Sequence, residues 1–286
     1  MTSFCAPPSV WRTLLRAGLA THGAGLREAV SVGEPLTREI VNQVRQAWGV
    51  TVRNGYGQSE VTALVGVTPD CDADPLSLGY PLPGYEIVLC PPDSDKQSAE
   101  GELCVDLANA PLGMMHGYLD EPGQPATLSG QRLYRTGDLA RWEKNNTLTY
   151  IGRRKDIFPG TTGIDIAPAE LEHALLDHPA IHEAAVVPVC NQEGELVPKA
   201  YVVLAAGWNA SPVTAQLVLD HARQRLAAAK EIVLLEFLDD LPRTQSNKIH
   251  RDSLRQLPRS ATMEFTSRDR LQARVETHEP MLFHRT

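Results

Sequence analysis

Two small polar clusters between Leu133 and Asp156 carry residue types that suit binding of a sugar with neighbouring hydroxyls. The first cluster is Thr136-Gly137-Asp138, and the second, residues 152–156, has the letters GRRKD. A carboxylate such as Asp138 can accept hydrogen bonds from both hydroxyls of a vicinal diol, and Arg153 can hold a ribose or phosphate oxygen. Taken alone, Asp138 is more often a turn or cap residue, so other motifs must decide.

A glycine-rich stretch supplies a second set of binding groups. Its two glycines let a ligand come close to the backbone, and its tyrosine offers a face to a base. The serine adds a hydroxyl, and the glutamate is an oxygen ligand that suits Mg²⁺. The bland alternative is a glycine-rich loop with a solvated glutamate. The stretch comprises Asn54, Gly55, Tyr56, Gly57, Gln58, Ser59 and Glu60.

Alternating and helical patterns predict the elements that position these groups. Residues 133–135 lead into the first cluster, residues 139–142 continue extended, and residues 147–151 run back as the second strand of a hairpin, because these segments are rich in β-formers and Asn145-Asn146 suits a tight turn. Each polar cluster is expected at an end of this hairpin, where a strand stops. Residues 26–32 and 50–53 read as strands on either side of a helix over 36–48, which predicts a βαβ unit and hence a parallel sheet. The glycine-rich stretch then follows the second strand, at the edge where open α/β sheets bind ligands.

The remaining pattern predicts an α/β fold in three parts. Short strands with Gly/Pro turns at 79–89 and 101–107 are expected to join the hairpin in a β-barrel-like subdomain beside the partial parallel sheet. After Lys155 the pattern changes to that of a small α+β domain. We therefore expect a large domain over 1–152, a C-terminal domain over 153–258, and a loose tail over 259–286, where apolar anchors are few.

Composition excludes several classes of protein. The 286 residues are 42% hydrophobic and 22% charged, which is ordinary for a globular protein. The net charge of −8 argues against a nucleic-acid binder. No run is long enough to span a membrane, and five widely spaced cysteines without a Cys-x-x-Cys suit a reducing compartment. We expect a cytoplasmic location.

Several motifs together resemble those of the adenylate-forming, or AMP-binding, superfamily. Within it, the sequence is most similar to the medium-chain acyl-CoA synthetases. Tyr-Arg-Thr-Gly-Asp over 134–138 and Ile-Gly-Arg over 151–153 resemble its ribose-binding and hinge motifs. The letters YGQSE over 56–60 resemble its Tyr-Gly-x-Thr-Glu motif. Other similar segments are Gly-Glu-Pro at 33–35, Gly-Glu-Leu at 101–103 and TQSNKIHR at 244–251.

The resemblance implies a role for each matching residue. Lys248 would be the catalytic lysine that bridges the substrate carboxylate and the α-phosphate, and Lys155 would be the hinge between two domains. Glu60 would bind Mg²⁺, and CoA would pass Thr161, Thr162 and Gly163. The implied substrates are ATP, CoA and a small carboxylic acid, as in fatty acid metabolism. The nucleotide would be held by Gly33, Glu34, Pro35, Asn54, Gly55, Tyr56, Gly57, Gln58, Ser59, Asp138 and Arg153.

Two departures from the family pattern keep a second function open. Asp165 lies where a basic or amide residue normally meets the phosphates, and Asn247 replaces a glycine beside Lys248. The resemblance also covers only the second half of such an enzyme, without its phosphate loop. The chain is thus either an acyl-CoA ligase, truncated or completed by a separate polypeptide with the first half, or a non-catalytic remnant that binds a nucleotide or a partner.

Overall fold

The computed structural model describes residues 2–18, 25–109, 111–120, 124–128, 130–191, 193–244, 248–257 and 264–266. The chain divides into two compact units, Met1–Lys155 and Asp156–Thr286. Asn247 and its neighbours Gln245 and Ser246 lie outside the described residues, as do residue 258 and, in the predicted tail, residues 259–263 and 267–286. No helix among the described residues is both long and apolar enough to cross a membrane.

A five-stranded mixed sheet forms the first part of unit one. Its strands follow one another in chain order, and the first three are parallel, which confirms the predicted parallel sheet in part. The fourth and fifth strands are antiparallel. The strands are β1 (Ser3–Ala6), β2 (Glu28–Val32), β3 (Val52–Gln58), β4 (Thr62–Gly66) and β5 (Tyr80–Pro81), with helix α1 (Pro8–Arg16) after β1 and helix α2 (Arg38–Trp48) after β2.

Helix α2 shows why the βαβ prediction succeeds. Ile40, Val41 and Val44 are buried on one face, as helical spacing requires. Gly49 ends the helix in the left-handed conformation, with φ of 72°, which glycine adopts without strain. Strand β3 then pairs in parallel with β2.

Strand β3 extends further than the sequence predicts. The stretch 54–58, expected to be a loop, is part of β3, because β4 pairs with it and satisfies its backbone groups. The glycines serve this pairing rather than a loop: a Cβ on Gly57 would collide with the backbone of Thr62. Only Ser59 and Glu60 lie in the turn that follows.

A second sheet of unit one has four antiparallel strands. Its order is β11-β10-β7-β6, and among the described residues no pairing joins the two outer strands. The expected β-barrel-like subdomain is therefore an open sheet. One outer strand is instead engaged elsewhere, since Leu148 bridges to Gly79 just before β5. The strands are β6 (Ile87–Cys90), β7 (Glu100–Asp106), β10 (Leu133–Trp142) and β11 (Leu148–Arg153), and β8 (Gly117–Asp120) pairs separately with β9 (Gln124–Thr127).

The predicted hairpin is present as β10 and β11. Asn146 adopts the left-handed conformation in its turn, with φ of 60°. The cluster Thr136-Gly137-Asp138 was expected where a strand stops, and this is wrong. It lies inside β10, where the pairing register with β7 shifts, so the strand bulges and continues.

Unit two is an α+β domain around the mixed sheet β14-β15-β16-β17. Leu171, Leu175 and Val218 belong to the core cluster that packs its helices on this sheet. The Ser211 side chain caps its longest helix by accepting from the Thr214 backbone N–H, as its sequence position indicates. The elements are β12 (Phe158–Pro159), β13 (Asp165–Ile166), α3 (Pro168–Leu176), β14 (Ile181–Cys190), β15 (Leu196–Leu204), α4 (Pro212–Arg225), β16 (Leu234–Phe237), α5 (Arg251–Gln256) and β17 (Glu264–Thr266).

Strand β17 corrects the expectation of a loose tail for its residues. Residues 264–266 pair antiparallel with β16. Phe265 anchors them, because its ring lies 5.6 Å from the Phe237 ring in an edge contact. A single apolar residue in a polar stretch gives little sequence signal, although it suffices to dock a strand.

Candidate active site

Asp138 is the centre of a buried hydrogen-bond cluster in unit one. The residue is 5% exposed, and its two oxygens accept from side chains of β3 and β11. Tyr56 Oη donates to Oδ2 at 2.7 Å, and Gln58 Nε2 donates to the same oxygen at 2.8 Å. Tyr150 Oη donates to Oδ1 at 3.3 Å. The structure thus brings Tyr56, Gln58 and Asp138 together, three of the residues assigned to the nucleotide from the sequence, and adds Tyr150.

Three further groups hold this cluster in place. Gln58 Nε2 also donates to the Thr136 carbonyl at 2.9 Å, and Tyr134 Oη donates to Gln58 Oε1 at 3.0 Å. Thr136 Oγ1 accepts from the Asp138 backbone N–H at 3.2 Å and donates to the Leu103 carbonyl at 2.8 Å. These supports were not assigned from the sequence, where an alternating strand gives tyrosines and threonines an ordinary β-forming role.

The tyrosines of this cluster are held as donors. Burial raises the pKa of the Tyr56 hydroxyl well above its usual value, and the neighbouring Asp138 carboxylate raises it further. Burial and the hydrogen bond with Tyr118 raise the pKa of Tyr134 in the same direction. Both hydroxyls therefore keep their protons at neutral pH, and Tyr56 can go on donating to the carboxylate.

Arg153 and Lys155 follow the cluster at the end of β11. Arg153 lies opposite Asp138 in the strand register, and its Nε is 3.8 Å from Asp138 Oδ1. Its side chain is 46% exposed, so the guanidinium can reach a ligand as well as the carboxylate. Lys155 is exposed in the short 3₁₀ turn Arg154–Asp156 and is the last residue of unit one.

The Gly-Glu-Pro segment lies at the carboxyl end of β2, beside the glycines of β3. Val32 pairs with Gly55, and Gly33 follows directly with φ of 89°. Glu34 has a structural partner here, since its carboxylate accepts from Ser9 N at 3.1 Å and Ser9 Oγ at 2.9 Å. A carboxylate at the first turn of α1 stabilises the helix. Pro35 follows in the extended segment before α2.

The two ends of the glycine-rich stretch have contrasting surroundings. Asn54 is buried, and its side-chain amide donates to the Leu76 carbonyl at 3.2 Å, which is a structural contact. Ser59 is exposed in the turn, and Glu60 Oε1 accepts from Tyr118 Oη at 3.0 Å. The described residues contain no group of three or more His, Cys, Asp or Glu side chains that could hold a metal ion. The Mg²⁺ role of Glu60 stays a prediction.

In unit two, the predicted CoA-binding residues form the tip of a hairpin. Thr161, Thr162 and Gly163 are exposed between β12 and β13. The Gly163 N–H donates to the Gly160 carbonyl at 3.0 Å, and Gly163 has a φ of 76° that favours glycine. Asp165 is exposed on β13, paired with Pro159, so its carboxylate lies close in sequence and structure to this tip.

Lys248 is exposed, and Arg243 and Arg251, which precede and follow it in the chain, make charged contacts within unit two. Its N–H donates to Thr244 Oγ1 at 3.2 Å, and its carbonyl accepts from Thr244 N at 2.8 Å. Arg243 Nη2 contacts both carboxylate oxygens of Glu183, at 2.7 and 2.5 Å.

On the C-terminal side of Lys248, Arg251 Nη2 contacts both oxygens of the buried Glu172, at 2.6 and 2.8 Å. Such charge-assisted contacts are among the strongest side-chain hydrogen bonds. Glu172 also accepts from the Val186 N–H at 2.9 Å, which fixes its carboxylate to β14. Neither anchoring glutamate was singled out from the sequence, because each lies more than fifty positions away from its arginine.

Comparison with known proteins identifies the family of both units. The AMP-binding enzyme family matches residues 1–119, and the AMP-binding enzyme C-terminal domain family matches residues 170–248. The 4-hydroxybutyrate–CoA ligase 1 of Metallosphaera sedula is 36% identical over 260 residues, which cover 89% of this chain and 46% of the relative. Human mitochondrial acyl-coenzyme A synthetase ACSM3 is 30% identical, with coverage of 89% and 44%.

A solved structure agrees with this assignment. The crystal structure of the anthranilate CoA ligase AuaEII in complex with anthranoyl-AMP superposes with a TM-score of 0.80 at 26% identity, over 89% of this chain and 49% of that one. The chain spans about half the length of the relatives it matches. It belongs to the AMP-binding, or adenylate-forming, enzyme family, and its named relatives are acyl-CoA ligases.

Proposed function

We propose that this chain forms the nucleotide-binding and C-terminal part of an AMP-forming acyl-CoA ligase. Such an enzyme activates a carboxylic acid with ATP to an acyl-adenylate and then transfers the acyl group to CoA. The observation that carries the proposal is the buried Asp138, whose two oxygens face Tyr56, Gln58 and Tyr150. The family of the chain supports it.

The donors around Asp138 fit a ribose. A vicinal diol offers two O–H donors, and the carboxylate already accepts from two tyrosine hydroxyls on its two oxygens. Ribose hydroxyls can take over these positions, with Gln58 still donating to Oδ2. Arg153, half exposed beside the carboxylate, would contact a ribose or phosphate oxygen.

Lys248 is proposed to act in the first half-reaction. There the substrate carboxylate attacks the α-phosphorus of ATP, and the bond to pyrophosphate breaks. The Lys248 ammonium would contact both reacting groups and stabilise the charge that builds between them. The contacts of Arg243 with Glu183 and of Arg251 with Glu172, on either side of Lys248 in the chain, support this role, because a catalytic group must be held in a narrow range of positions. Glu60 would provide an oxygen ligand for nucleotide-bound Mg²⁺.

A second candidate function is nucleotide binding without efficient thioester formation. Asp165 favours it, because its exposed carboxylate stands near the hairpin tip that carries Thr161, Thr162 and Gly163. CoA carries several phosphates, and a negative charge at this place would repel them. Asp165→Arg should then raise thioester formation more than it changes nucleotide binding.

Calorimetric titration of the chain with AMP tests the proposal. We expect binding that Asp138→Ala weakens by about tenfold or more, since hydrogen bonds to a charged group are lost. Pyrophosphate release from ATP, Mg²⁺ and straight-chain acids from acetate to decanoate then tests catalysis by the enzyme that contains this chain. Lys248→Ala should abolish this release and spare conversion of supplied acyl-adenylate to acyl-CoA. Absence of AMP binding would refute the proposal, whereas AMP binding without thioester formation would favour the second candidate.

A further inference from the structure

Glu102 on β7 is a buried carboxylate with an unusual set of partners. It is 3% exposed, and its Oε1 accepts from the Gly137 backbone N–H at 3.0 Å. Its Oε2 accepts from Arg135 Nη1 at 3.0 Å and lies 3.6 Å from Arg154 Nη1. One side chain thus contacts the backbone next to Asp138 and a residue next to the predicted hinge, Lys155.

The backbone that Glu102 contacts is the bulge in β10. Arg135 pairs with Cys104, but the next pair is Leu139 with Glu102. Four steps along β10 therefore match two steps along β7, and the extra residues leave the ladder. Gly137 takes a φ of 75°, and its N–H, released from strand pairing, is satisfied by the Glu102 carboxylate. Bulges of this kind re-aim a side chain, and here that side chain is Asp138.

We infer that Glu102 is a positioning residue for the ribose-binding carboxylate: it holds the Gly137 bulge that directs Asp138 toward Tyr56 and Gln58. The inference rests on the proposed function of Asp138. Without the Glu102 acceptor, the Gly137 N–H would be a partly buried donor outside the strand ladder without its acceptor, which a native fold avoids by moving the backbone. The Glu102 side chain acts through Gly137, the residue that directly precedes Asp138.

Glu102→Gln is the informative substitution. The amide has the same shape, but it has one acceptor oxygen where the carboxylate has two. If that oxygen faces Gly137, the amide NH₂ faces the Arg135 and Arg154 guanidiniums, which are also donors. Glu100→Gln is the matched control, because Glu100 lies two residues earlier on β7, is 58% exposed and contacts Arg141 at 3.6 Å.

The first measurement is amide hydrogen exchange of Gly137 in the full chain without nucleotide. In the wild type we expect this amide to be protected although it lies outside the strand ladder, and Glu102→Gln should speed its exchange by about tenfold or more. Glu100→Gln should leave it unchanged. Free exchange of Gly137 in the wild type would overturn the inference, and this result needs no folded variant.

The second measurement separates positioning from simple stabilisation. The affinity for AMP is compared with that for 2′,3′-dideoxy-AMP, which lacks the diol. We expect the wild type and Glu100→Gln to prefer AMP by about tenfold, and Glu102→Gln to bring the ratio within about threefold of one. A residue that only stabilised the fold would not change this ratio. An unchanged ratio in Glu102→Gln would overturn the inference alone, whereas no AMP binding by the wild type would overturn the proposed function with it.

Discussion

Replacing Tyr56 by phenylalanine tests whether the hydrogen bonds around Asp138 stabilise the folded state of unit one. The change removes one hydroxyl that donates to Asp138 Oδ2 at 2.7 Å. A hydrogen bond to a charged group contributes about 1.5–3 kcal/mol. Because Gln58 still donates to the same oxygen at 2.8 Å, the carboxylate is not left without a partner. We therefore expect a loss of about 2 kcal/mol in the stability of unit one.

Tyr150→Phe is the matched comparison on the other carboxylate oxygen. Its hydroxyl donates to Asp138 Oδ1 at the longer distance of 3.3 Å, and both tyrosines are partly buried, so the distance distinguishes them. A long bond is worth less, so we expect about 1 kcal/mol or below. The order of the two substitutions is thus part of the prediction.

Urea unfolding measures both effects. A Trp208→Phe background leaves the three remaining tryptophans, Trp11, Trp48 and Trp142, all in unit one. With a urea slope of about 2 kcal/mol/M, a loss of 2 kcal/mol lowers the midpoint by about 1 M. A double-mutant cycle with Asp138→Asn should then give a coupling of about 1 kcal/mol or more. A midpoint shift below about 0.2 M for Tyr56→Phe, or no coupling in the cycle, would refute the reasoning.

Two further predictions concern unit two. Arg251→Met should destabilise it by about 3 kcal/mol, because the buried Glu172 loses its counter-charge. Asp252→Asn, in an exposed ion pair, should cost below about 1 kcal/mol. Equal urea midpoints for the two variants would contradict this prediction. Burial lowers the pKa of both His178 and His221. Below the ordinary histidine pKa of about 6.5, the folded unit therefore binds fewer protons than the unfolded chain. The contribution of these histidines to stability is thus present above that pH and lost as the pH falls below it. Trp208 fluorescence in urea at pH 7.5 and about 5.5 measures the loss, and an unchanged midpoint would exclude it.

Local signals in the sequence predict the local elements well. Helix α2 follows from its apolar spacing and from Gly49, and the β10–β11 hairpin follows from Asn146. In each case the residues that determine the geometry lie within the element or at its end. Short-range rules of dihedral preference and burial are then sufficient.

Non-local pairing explains what the sequence does not predict. The strand character of residues 54–58 depends on β4, whose pairing uses the glycines. The bulge at Gly137 depends on Glu102, 35 residues earlier in the chain. Neither partner can be predicted from the residues near the motif, because a hydrophobic repeat of two or 3.6 residues indicates only which face of an element is buried. The resemblance to the family identified Asp138 as a binding residue, whereas the hydrogen-bond cluster around it is visible only in the three-dimensional structure.

The hydrogen bonds of Asp138 also determine what this residue can contribute to ligand binding. Without a nucleotide, its oxygens accept from Tyr56, Gln58 and Tyr150. A ribose diol would therefore exchange one set of O–H donors for another, and the net gain is smaller than two new hydrogen bonds to a bare carboxylate. Under the proposed function, most of the affinity would then come from other parts of the nucleotide, and Asp138 would act mainly in discrimination. The same exchange explains why we expect a preference of only about tenfold for the diol, and why loss of Glu102, which directs Asp138, should weaken the binding of AMP and leave that of the dideoxy analogue nearly unchanged.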